Sequence, residues 1–94
     1  MTKHTFTPGP WHIYGLPVQA RILGPNGEAV AACRAKYRDD ASAATRNANA
    51  RLIAAAPELY EALHDMVHAF RDENEGQTDA LAYARAALAK VDAP

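Results

Sequence analysis

Apolar positions follow two regimes along this chain. Between residues 11 and 33 they tend to alternate with polar ones, and from residue 41 onward they recur every three or four positions. A period of two marks strands, and a period near 3.6 marks helices. Trp11-His12-Ile13-Tyr14 therefore reads as a short strand, Val18 to Leu23 as a second and Glu28 to Cys33 as a third. Gly15-Leu16-Pro17 turns the chain between the first two, and Gly24-Pro25-Asn26-Gly27 joins the second to the third. Proline presets φ at the second turn position, asparagine tolerates the third and glycine supplies a positive φ, which together signal a hairpin. A two-residue loop would put Leu23 and Val30 on one face, whereas a bulge would bring Ile22 there instead. Three short strands with one apolar face need a cover.

Helices supply it. Asp39 or Asp40 suits the N-cap of a helix running to about Ala55, with Ala41, Ala44, Ala48, Leu52 and Ala55 as its seam. Residues 57–71 predict a second helix with the stripe Leu59, Tyr60, Leu63, Met66, Val67 and Phe70. Asp72-Glu73-Asn74-Glu75-Gly76 reads as a polar loop. Thr78 or Asp79 then caps a third helix to about Val91, with Leu81, Ala84, Leu88 and Val91 inward. Pro57 stands inside an otherwise helical run. It would cost a backbone donor and a clash mid-helix but suits a helix's first turn, so the pattern predicts a corner at Ala55-Ala56-Pro57. The whole is an α+β fold, a three-stranded antiparallel β-meander followed by two or three packed α-helices. It reads as one domain over residues 1–94, with an N-terminal arm at 1–10, the meander at 11–33 and the helical part at 40–91.

Composition narrows the classes. Of the 94 residues 49% are apolar, but 22 of these are alanine, so the core must be small and dimerisation is one way to add burial. A single cysteine, Cys33, excludes an internal disulfide framework. The start MTKHTFTPGPW has no apolar leader, and no stretch approaches the roughly 18 to 20 apolar residues of a membrane span. A cytoplasmic protein that spans no membrane is expected.

Candidate catalytic chemistry is thin. His64-Asp65-Met66-Val67-His68 places two histidines four apart on a helix, as zinc sites do, but no spacing points to a third ligand. They read as surface histidines, Cys33 as a buried thiol, and Trp11 as a core anchor. No metal, cofactor or catalytic residue is assigned, and the expectation is a protein that is not an enzyme.

Charge is the stronger signal. Residues 1–51 carry seven bases against three acids, and residues 52–94 three bases against eight acids. The basic side has Arg34, Lys36 and Arg38 in alternation with Tyr37 between them, then Arg46 and Arg51. Such a set suits phosphate contacts with one aromatic for stacking. The acidic side has Glu58, Glu61, Asp65, Asp72, Glu73 and Glu75, and a compact acidic surface can occupy a basic nucleic-acid channel of another protein.

Thr7-Pro8-Gly9-Pro10-Trp11, and Asn49 to Leu59 (NARLIAAAPEL) followed by Glu61-Ala62-Leu63, resemble stretches of small proteins encoded by bacteriophages and prophages. This chain departs from them at Tyr60, where such proteins often have leucine. The resemblance implies a phage accessory protein and carries over no catalytic residue. It implies binding to host machinery, a protein or ribonucleoprotein defence complex, with anti-CRISPR action as the most concrete form. The alternative expectation is a nucleic-acid-binding accessory or regulatory protein.

Overall fold

A computed structural model describes residues 5–70 and 79–93. Three strands, β1 (His12–Tyr14), β2 (Ala20–Leu23) and β3 (Ala29–Cys33), precede three helices, α1 (Asp40–Ala54), α2 (Ala56–Phe70) and α3 (Asp79–Asp92). The strands form an antiparallel sheet in the order β1-β2-β3. The fold is α+β, a meander followed by helices.

The turn after β2 closes as its residues require. Gly27 N–H donates to the Gly24 carbonyl at 3.1 Å, and Gly27 has φ +83°, a region open to glycine at little cost. The register then slips: Ile22 faces Ala31 while Leu23 faces Ala29, leaving Val30 as the extra residue. Of the two hairpin registers the residues allowed, the bulged one forms. It turns both Ile22 and Val30 toward the core, where Ile22 is completely buried with Ala20 and Ala50.

Asp39 caps α1, its carboxylate accepting from the Ser42 N–H at 2.7 Å. The helix lies against all three strands. Its phase corrects the seam expected from alanine spacing. Ala41, Ala44 and Ala48 are exposed and Leu52 is 65% exposed, while Ala43, Arg46, Asn47, Ala50, Ile53 and Ala54 turn inward to different depths. Alanine stands on both faces of this helix, so spacing alone could not choose between them. The side that packs is the one where Ala50 brings the helix backbone close to the sheet and Ile53 adds bulk.

Ala55 separates α1 from α2, and α2 begins at Ala56, one residue before the predicted start. Two helices meet here, with Pro57 in the first turn of the second, where its missing donor costs little. Pro57 is buried. A Cβ added to Gly9 would lie 2.7 Å from the Pro57 Cβ, so the glycine backbone rests directly on the proline ring. Trp11 holds the same segment by donating its indole N–H to the Thr7 carbonyl at 2.9 Å and packs against the core. The stretches Thr7–Trp11 and Asn49–Leu59 thus meet in space at Gly9 and Pro57.

The chain divides into two compact units, Met1–Glu58 and Leu59–Pro94. The second contains most of α2, together with α3. Tyr60, Val67 and Leu88 are its buried residues among those described. The Tyr60 hydroxyl donates to Asp92 Oδ1 at 2.7 Å, tying the start of α2 to the end of α3. Leu59, Met66 and Val91, expected inward, are instead about half exposed or more. The apolar stripe of α2 is wider than the surface that covers it. The side chain of Phe70 and the loop Asp72 to Gly76 lie outside the described residues.

Candidate functional surfaces

The basic candidates fall into two kinds. Arg34, Lys36, Tyr37, Arg38 and Arg51 are exposed, and the Lys36 ammonium lies 5.3 Å from the centre of the Tyr37 ring, within cation–π reach. Arg46 differs, being only 8% exposed. Its guanidinium donates to the Val18 carbonyl at 2.8 Å, to the Pro17 carbonyl, and through Nε to Asn47 Oδ1 at 3.0 Å. It clamps the β1–β2 loop onto α1 and is not a free surface charge. Among the described residues no carboxylate pairs with Arg46, Arg34 or Arg21.

Arg21 does not stand out in the sequence because its neighbours are apolar. Strand pairing sets it opposite Ala32 on β3 and opposite Tyr14 on β1. That register brings it near Arg34, which lies two residues beyond Ala32. No local signal reveals the proximity, since it depends on how β2 and β3 align.

The acidic candidates that are described form a row. Glu58, Glu61 and Asp65 are exposed on α2 at spacings of three and four, so they share one side of the helix. Asp72, Glu73 and Glu75 lie outside the described residues. Beside the acidic row runs an apolar one, Leu59, Ala62, Met66 and Ala69, all exposed, with Leu59 at 53% and Met66 at 59%. A parallel case occurs on α3, where Ala80, Tyr83, Ala87 and Val91 form an exposed row and Tyr83 is 73% exposed.

The two helical histidines stack on each other with ring centres 4.0 Å apart, and His68 Nδ1 donates to the His64 carbonyl at 2.8 Å. His64 Nδ1 stands 3.6 Å from Asp65 Oδ1. Among the described residues, no three His, Cys, Asp or Glu side chains are grouped to hold a metal ion. Asn49 is exposed, while Asn47 is half-buried and its side-chain oxygen accepts from Arg46 Nε. No helix among the described residues is long and apolar enough to cross a membrane.

Among the described residues Tyr60 is the one titrating group clearly displaced. Its pKa is pushed up to about 12, first by the hydrogen bond it donates to Asp92, then by burial and by the negative charge of Asp92 and Glu61. This is a structural arrangement, because a phenol held protonated near a carboxylate is a poor base at neutral pH.

Fold and surfaces together define a small α+β protein with a basic sheet-and-helix unit and an acidic helical unit. The chain belongs to the family of the Salmonella phage P22 protein Y8K6, which matches residues 1–93. It is thus a phage accessory protein. No curated protein and no solved structure matches it.

Proposed function

We propose that this phage protein is not an enzyme and acts by binding a host defence complex, a protein or ribonucleoprotein, through the exposed side of α2. The observation that carries the reading is the pair of adjacent rows on that helix: Leu59, Ala62, Met66 and Ala69 beside Glu58, Glu61 and Asp65. Apolar residues bordered by charge are the usual makeup of a protein interface. The complement to an acidic row is a basic surface, and a nucleic-acid channel of a defence ribonucleoprotein supplies one. Anti-CRISPR inhibition is the most concrete form of this reading. It is tested by phage plating on a host whose defence targets that phage. Expression of the protein should raise plating efficiency, and the triple charge reversal Glu58→Lys, Glu61→Lys, Asp65→Lys should abolish the rise. Failure of the unaltered protein to raise plating across defence-proficient hosts would contradict it. A homodimer through the exposed rows is the competing occupant, and light scattering of the free protein separates the two.

A second reading is favoured by the exposure of Arg34, Lys36, Arg38 and Arg51, which have no carboxylate pair among the described residues. Here the protein is a nucleic-acid-binding accessory or regulatory factor, with Tyr37 available for stacking. A salt-titrated gel shift tests it. Replacing these four bases by alanine should flatten the dependence of log K on log salt by about 0.9 for each duplex phosphate that is no longer neutralised. Unchanged binding by the replaced protein would remove this mechanism.

A further inference from the structure

At the end of the β2–β3 pair a cavity of about 400 Å³ is lined by Arg21, Arg34 and Arg46, with Ala20, Ala32 and Ala35 among its walls. The space follows from the residues. Three alanines offer only methyl groups where the strands end, so the longer arginine side chains border a hollow. Its volume falls in the range of small-ligand sites, about 300–1,000 Å³.

Its electrostatics are one-sided. Three arginines line it, and among the described residues no acidic residue does. Arg46 is buried, and among the described residues its charge is answered by neutral groups, the carbonyls of Pro17 and Val18 and the amide oxygen of Asn47. A guanidinium has five N–H donors, and these three bonds leave two of them available. A buried cation faced by neutral dipoles gains from an anion. Arginine forks match the tetrahedral oxygens of phosphate, and a phosphate monoester brings close to two negative charges at neutral pH.

We infer that this cavity is a binding site for a phosphate group, as the free ion or as the terminal phosphate of a nucleotide or nucleic acid. Arg46 forms its fixed inner wall, and Arg21 and Arg34 are the exposed arms that close on the ligand. The inference does not rest on the α2 reading, since it concerns the other unit. It also differs from general nucleic-acid binding, because it requires a terminal phosphate and uses Arg21, which the exposed basic segment does not contain.

Calorimetric titration and thermal melting test it with inorganic phosphate, adenosine 5′-monophosphate, and one oligonucleotide with and without its 5′-phosphate. Succinate serves as the carboxylate control. Binding of at least one phosphate probe is expected, with the melting temperature rising with its concentration as linkage requires. Arg21→Gln and Arg34→Gln, both at exposed positions, should each weaken that binding about tenfold. Binding of free phosphate would assign a small anion, and binding confined to the 5′-phosphorylated oligonucleotide would assign a nucleic-acid end; both support the site. Absence of binding by every phosphate probe, equal binding of succinate or of the 5′-hydroxyl oligonucleotide, or undiminished binding by both variants would overturn it.

Discussion

The two units differ in how they arrange apolar and charged side chains. In the first, Ile22, Ala20 and Ala50 have essentially no exposure and Trp11, Ile13, Val30 and Ile53 pack around them, while Tyr14, Leu16, Val18, Tyr37 and Leu52 are exposed singly or in loops. In the second, Tyr60, Val67 and Leu88 are covered while Leu59, Met66, Tyr83 and Val91 face outward. Charge divides along the same line. The first unit carries seven bases against four acids, and the second three bases against seven acids. The first unit gathers its core at Ile22, Ala20 and Ala50 and carries a basic rim. A helical unit that leaves apolar rows beside acidic ones has surface in excess of its own folding needs, and that excess is what a partner can use.

The contrast can be broken at its strongest point first. Ile22→Ala should destabilise the first unit by about 2–5 kcal/mol, the usual cost of truncating a fully buried aliphatic side chain. Denaturant unfolding would measure it, and a change within about 0.5 kcal/mol would show that the core is not where the burial pattern puts it. Gly9→Ala comes next. The added Cβ would sit 2.7 Å from the Pro57 ring, which cannot swing aside like a flexible side chain, so a loss of about 1–3 kcal/mol is expected. In a Pro57→Ala background the same change should cost less, because the opposing ring is gone; equal costs in both backgrounds would refute the contact.

Tyr60→Phe sharpens the other side of the comparison. It removes a hydrogen bond to a carboxylate and should cost about 1–2 kcal/mol. The pH dependence has a definite sign. Tyr60 titrates near 10 when unfolded and near 12 when folded, so its contribution is complete below pH 10 and disappears as pH rises from 10 to 12. Melts between pH 9 and 12 should show a steeper alkaline fall for the unaltered protein than for the variant. Parallel curves would contradict the assignment.

Much of this was legible in the residues. Asp39 as a cap, Gly27 at a positive-φ turn position and the Pro57 corner each follow from local chemistry, and each element formed within a residue or two of its expected bounds. The register of the hairpin was open between two answers, since turn residues permit either and only the burial of both Ile22 and Val30 selects the bulge. The phase of α1 could not be read, because alanines on both faces offer no contrast in burial energy. Arg46 illustrates the same limit from the polar side. Its neighbours suggest a solvated helix, and only the return of Pro17 and Val18 from a loop 28 or 29 residues away makes it a buried clamp. The acidic row was legible at Glu58, Glu61 and Asp65 from helical spacing, whereas the cavity was not, since Arg21, Arg34 and Arg46 come together only through strand pairing and helix docking.

The central claim is that the outward side of α2 exists for a partner and not for the fold. The double variant Leu59→Gln, Met66→Gln tests it most directly, by phage plating on a defence-proficient host, with the variant's unfolding free energy measured in parallel. The account predicts a free energy within about 0.5 kcal/mol of the unaltered protein, as for exposed positions generally, together with loss of the plating gain. A variant that keeps the full gain, or loses it only because it unfolds, would contradict the account.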